Sequence, residues 1–138
     1  MPGNTTVDKS PRAFLPWVWK EVNVVANQSA TQVSVSGFPA GITRFALPRQ
    51  TSIKTMTVQL SEALTAGWLD FEITKGGVAT GKKIRMNSTD GTLKRVDFRP
   101  GELVGGPGDR IGVEWGSGAL MAPSGTIDGV VFFEVQDS

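Results

Sequence analysis

"FRPGELVGGPGDRIGVEW", residues 98–115, packs five glycines and two prolines between two strand-like ends. Two folds compete for such a stretch. A glycine-rich loop that opens a helix cradles phosphate groups, because glycine lets backbone amides approach an anion closely. A glycine-rich loop that opens a strand is a corner of a β-fold, with glycine taking the positive φ that turns require. Here Ile111, Val113 and Trp115 follow at period two, the alternation of a strand, and no Gly-Lys-Ser/Thr appears. The stretch therefore predicts a corner between two sheets, with Asp109 as the organiser that bonds the turn amides.

The same period recurs on both sides. "WLDFEITK" (68–75) sets Leu69, Phe71 and Ile73 against Asp70, Glu72 and Thr74, and "SIKTMTVQL" (52–60) sets Met56, Val58 and Leu60 against Thr55, Thr57 and Gln59. "WVWKEVNVVA" (17–26), "TQVSVSG" (31–37) and "ITRFALP" (42–48) read as three more strands. "KKIRMN" (82–87) and "LKRVDF" (93–98) read as a hairpin turned by "STDG", with "GGVATG" (76–81) as the connector before it. "SEALTAG" (61–67) allows one helical turn before Gly67 ends it. "IDGVVFFEVQ" (127–136) is apolar on both faces and needs a second covering surface.

Eight or nine strands without strand–helix alternation predict an all-β fold, an antiparallel two-sheet sandwich or jelly roll over residues 17–138. Residues 1–16 carry three prolines and a mostly polar first half, which predicts an extended N-terminal arm.

Composition narrows the chemistry. A chain of 138 residues, 39% hydrophobic and 20% charged, suits one domain with its own core. Fourteen basic against 13 acidic residues leave a net charge of +1, too little to gather nucleic acid or an acidic membrane, so neither is an expected partner. The start shows no basic-then-apolar leader, and no apolar run is long enough to cross a bilayer; synthesis in the cytoplasm is expected. Cysteine and histidine are absent, which removes disulfides, thiolate chemistry and the commonest general base.

Carboxylates are then the remaining acid–base groups, and a glycosidase needs two of them flanking a cleft. Asp70, Glu72 and Glu114 fall at polar positions of alternating strands, where charge is most often simply solvated. Asp109 lacks the ligand spacing of a calcium loop. The expectation is a protein that is not an enzyme, with no cofactor and no metal.

Four tryptophans are candidate contacts, either as a sugar-stacking platform or as core. Trp115 continues the inward register of Ile111 and Val113 and reads as core. Trp68 falls on the polar side of its strand and reads as an interface candidate. Trp17 and Trp19 share a face just beyond the arm, and with Phe14 and Leu15 they are the expected partner-binding anchors. Lys82, Lys83, Arg85, Lys94 and Arg95 read as the wet side of an amphipathic hairpin, since no aromatics are interleaved with them.

Three stretches in order, "IKTMTVQLSEALTAGWLDFEITKGG", "KKIRMNSTDGTLKRVDFRPGE" and "PGDRIGVEWGSGALMAPSGTIDGVVFFEV", cover about residues 50–136. Together they resemble the trimeric jelly-roll decoration proteins, also called auxiliary or cement proteins, of tailed bacteriophages. They are similar more loosely to other trimeric phage jelly rolls of tails and head fibres. The resemblance implies a structural homotrimer seated at a local three-fold position on the outer surface of the virion's capsid. There it would clamp the major capsid protein and stabilise the shell, the arm reaching to the shell or to a neighbouring trimer. The alternative is a carbohydrate- or receptor-binding module of a tail or head fibre.

Overall fold

Strands with one apolar face are stable only when that face is covered, and here two such sheets cover each other. A computed structural model of the chain describes residues 18–38 and 41–137. Its strands are β1 (Trp19–Val24), β2 (Thr31–Gln32), β3 (Ser34–Val35), β4 (Arg44–Ala46), β5 (Thr51–Leu60), β6 (Trp68–Lys75), β7 (Val78–Asn87), β8 (Leu93–Asp97), β9 (Val104–Gly105), β10 (Arg110–Ser117) and β11 (Ile127–Asp137). The first sheet runs β3-β1-β11-β5-β8, with β9 also on β5. The second runs β2-β10-β6-β7, with β4 also on β10. Every pairing is antiparallel.

Set face to face, β1-β11-β5-β8 against β4-β10-β6-β7 is the strand order of a jelly roll, in which the chain crosses repeatedly between layers. The core between them holds Trp19, Phe71, Phe133, Met56 and Ile73, all fully buried. Trp19 packs on Phe133 with ring centroids 5.0 Å apart. Gly129 of β11 makes room for Phe71 of the opposite sheet: a Cβ there would stand 2.6 Å from Phe71 Cζ.

The stretch at 98–109 is the sheet-to-sheet corner. β8 and β9 belong to the first sheet and β10 to the second, and Phe98 and Ile53 close the route with amide bonds to the Lys54 and Leu103 carbonyls (2.8 and 3.0 Å).

Three local expectations are corrected. "GGVATG" is not a connector: Gly76 and Gly77 alone make the turn, at φ 63° and 84°, and β7 already starts at Val78. Two consecutive residues at positive φ match the right-handed strand twist, which only glycine does cheaply. "KKIRMN" and "LKRVDF" do not form a hairpin, because β8 pairs with β5 while β7 pairs with β6. Asn87 Oδ1 accepts from the Thr89 amide (3.0 Å) and Asp90 Oδ2 from the Asn87 amide (2.8 Å), and this Asx-type winding carries the chain into the other sheet. Residues 61–67 form no helical turn; Ala66 bridges Ala122, and Gly67 at φ 73° lies against the backbone of Met121.

Candidate functional site

The outward face of the second sheet brings several of the singled-out residues together. Trp68, Asp70 and Glu72 alternate with buried Leu69, Phe71 and Ile73 along β6, so period two places the indole and two carboxylates on the solvent side. Asp70 accepts from Arg85 Nε and Nη2 at 2.7 and 2.9 Å, a bidentate fork, and Lys83 Nζ stands 3.5 Å away. The fork aims the guanidinium over the Trp68 ring, 4.1 Å from its centroid. On the β10 side Gly118 donates its amide to the Trp68 carbonyl (3.1 Å), and a Cβ on Gly118 would fall 2.5–2.9 Å from three indole atoms. Trp68 thus stands between Gly118 and Arg85.

Beside it lies a cleft of about 210 Å³. Trp68 and the 28–30 loop wall it, Gly116 is part of its floor, and Asp70, Glu72 and Glu114 line it. Ser117 orders that loop: its hydroxyl donates to the Val25 carbonyl (2.6 Å) and accepts from the Gln28 amide (3.0 Å). Sequence reading did not reach this loop, since residues 27–30 carry no motif until Ser117, some ninety residues on, is folded against them. Arg44 and Arg110, also missed, line a second hollow of about 250 Å³ with Ile42 and Thr43.

Glu72, Glu102 and Asp109 each accept structural bonds. Glu72 Oε2 accepts from the Gly81 amide (2.8 Å) and Glu102 from the Arg99 amide and Lys82 (2.8 Å each). The Lys82 and Arg99 bonds hold the Glu102 carboxyl below its ordinary value. Asp109 Oδ2 accepts from the Gly106 amide (2.7 Å), with Lys75 at 3.4 Å, and the amide bond foremost keeps this carboxyl below its ordinary value too. Asp109 therefore pins the glycine corner to β6.

The five basic residues singled out in the sequence do not form one bare patch. Lys83 and Arg85 meet Asp70, Lys82 meets Glu102, Lys94 meets Asp90 (3.3 Å) and Arg95 meets Asp97 (2.9 Å).

Of the expected partner anchors, Phe14, Leu15 and Trp17 lie outside the described residues. Trp19 is corrected: it is fully buried, its Nε1 donates to the Thr43 carbonyl (3.0 Å), and it packs on Phe45 and Phe133. The register of β1 between β3 and β11 puts Trp19 on the inward side of the strand, so its indole is not available to a partner. Large apolar side chains that do face solvent are elsewhere: Leu120 is 81% exposed, Val78 69%, Leu93 59% and Val22 50%, with Phe38, Val25 and Ile42 less so.

Neither a family model nor a curated protein matches this sequence. Among solved structures, a carbohydrate-binding module (CBM36) in complex with calcium and xylotriose is similar at 17% identity and a TM-score of 0.37, over 86% of this chain and 98% of its own. A chain of the native virion of Kashmir bee virus at neutral pH is similar at 10% identity and a TM-score of 0.36, over 94% and 71%.

Proposed function

We propose that this protein is a structural, non-catalytic component of a tailed-phage virion that sits as a homotrimer on the outer capsid surface and grips the major capsid protein. One observation carries the reading: apolar side chains are presented to solvent from a rigid end of the jelly roll. Leu120 projects from the β10–β11 connection, and Val25 lies on the 25–30 segment tied to it. The ties are the Asn27 amide to Gly118 carbonyl (2.9 Å), the Gly125 amide to Val24 carbonyl (2.7 Å) and the Ala26 amide to Ser124 Oγ (2.9 Å). Val22 flanks them on a β-bulge, next to Asn23 at φ 53°. Apolar side chains held out by an ordered framework are what a protein interface buries.

The commitment of Asp70, Glu102 and Asp109 to lysine, arginine and amide partners supports recognition by shape over acid–base chemistry. In this reading Phe14, Leu15 and Trp17 anchor the arm to the shell, and Trp68 contributes an edge near a subunit contact. The fibre-module alternative needs an indole face free to stack on a sugar ring. On Trp68 the Arg85 guanidinium already stacks over the ring and Gly118 packs close to its five-membered part, which leaves less of the indole for a sugar.

Light scattering and capsid co-sedimentation test the proposal. A particle near three times 14.7 kDa is expected at high salt, together with binding to undecorated capsids that is lost when residues 1–16 are removed. A monomer that ignores capsids, or a truncated chain that binds them unchanged, would refute the shell reading or the arm's part in it respectively.

A further inference from the structure

The outward face of the second sheet carries two like-charged pairs, one of carboxylates and one of guanidiniums. Glu72 of β6 stands directly across from Glu114 of β10, and like charges at such a position repel. Arg44 of β4 pairs in register with Gly112 of β10, and Arg110 lies two residues before Gly112 on the same outward side. Among the described residues the side chains of Arg44, Arg110 and Glu114 have no ion pair or hydrogen bond, and Glu72 uses one oxygen only, toward Gly81. Lys83 of β7, in register with Glu72 on its other side, turns its Nζ to Asp70 instead (3.5 Å), and Lys75, Lys82, Arg85, Lys94 and Arg95 are each matched to a carboxylate within the chain.

The two pairs are spaced along one straight strand. Arg110 and Glu114 occupy outward positions of β10 on either side of Gly112, about 13 Å apart at an extended rise of about 3.4 Å per residue. The strand's outward residue between them, Gly112, has no side chain of its own. A face with plus at one end and minus at the other is complementary to itself after a half-turn. We infer that this face is a two-fold contact between copies of the chain, with Arg44 and Arg110 of one copy over Glu72 and Glu114 of the other, and the reverse. Ile42, exposed beside the arginines, adds apolar area to the contact. A second copy is favoured over an unrelated partner because one chain supplies both halves of the charge pattern in equal number. The contact is separate from the three-fold one proposed above and does not depend on a capsid.

Sedimentation equilibrium of the full chain at low and high salt tests it. The particle mass should halve at high salt, to monomer or trimer, because exposed charge pairs are screened. Arg110→Glu and Glu114→Arg should each leave the halved mass at low salt, through an affinity loss of about tenfold or more. The double variant R110E/E114R exchanges the charges across the axis and should restore the doubled mass. A mass independent of salt, single variants that associate like the parent, or a folded double variant that stays halved would overturn the contact. Should Glu114→Arg fail to fold by circular dichroism, the salt dependence and the exposed Arg110→Glu decide alone. A trimer at high salt leaves the shell reading standing whichever way this test falls.

Discussion

The Arg85 guanidinium lies 4.1 Å from the centre of the Trp68 ring, and Asp70 fixes it there through two bonds of 2.7 and 2.9 Å. Three residues on two neighbouring strands thus form one rigid unit, and Asp70 raises the Arg85 pKa still further, so the guanidinium stays charged. The unit explains why a tryptophan can sit on the wet side of a strand: Arg85 stacks over the ring and Gly118 packs close to its five-membered part.

Arg85→Met keeps the aliphatic stem and removes both the fork and the cation over the ring. The expected loss is about 1 kcal/mol, the sum of an exposed cation–π contact and a screened ion pair. Thermal unfolding should move down by a few degrees, with the Trp68 emission shifting toward that of a more solvated indole. An unchanged melting temperature would mean that solvent already screens the stack completely.

Gly129→Ala should be costly, although Gly129 has ordinary strand geometry. Its new methyl would stand 2.6 Å from Phe71 Cζ in the facing sheet, where core side chains have no room to yield. Overpacking of this kind costs about 1–3 kcal/mol. Adding Phe71→Leu to Gly129→Ala should return part of that loss, which a double-mutant cycle by urea unfolding reads directly. Purely additive effects would show that the two residues do not meet.

The jelly roll was legible because alternation is a local signal: each strand with one wet face, β6 above all, announces its inward residues, and Trp115 was placed in the core by register alone. Pairing partners were not legible in the same way. "STDG" looks like a hairpin turn, yet the bonds among Asn87, Thr89 and Asp90 send β8 to the other sheet, a choice fixed by what β5 offers on its open side. Trp19 misled for a related reason, since its face depends on the register of β1 against β11, which no window of ten residues contains. The corner at 98–109 was read correctly from its glycines and from the strand that follows, both local. The cleft beside Trp68 and the Arg44–Arg110 hollow are assembled from segments distant in sequence, so neither had a motif to find.

Asp109 gives the corner an acid-sensitive latch. Its carboxyl titrates below its unfolded value of about 3.8, so the stabilisation is fully present above that pH and is lost as pH falls through the lower, folded value. Asp109→Ala should lower the melting temperature at neutral pH and flatten its decline below about pH 4, where the parent loses the latch. Hydrogen exchange of the Gly106 amide should quicken in the same variant. A variant whose pH profile runs parallel to the parent's down to the acid limb would remove Asp109 from this role.

Glu21 carries the opposite sign. Burial pushes its carboxyl above the ordinary value, with the Trp115 indole N–H across the sandwich pulling the other way. That N–H is buried and has no acceptor at full hydrogen-bond geometry, so the indole relieves only part of the carboxylate's desolvation. Because the folded pKa exceeds the unfolded one of about 4.5, the folded state takes up protons first; stability falls as pH rises through that window, and the cost persists at neutral pH. Glu21→Gln retains an oxygen for the indole and removes the charge. It should therefore unfold at higher urea than the parent at pH 7, with the difference shrinking as pH falls through the raised folded value and closing below about 4.5, where the carboxyl is protonated in both states. If Glu21→Gln is instead the weaker protein at pH 7, the charged carboxylate gains more from Trp115 than burial takes away.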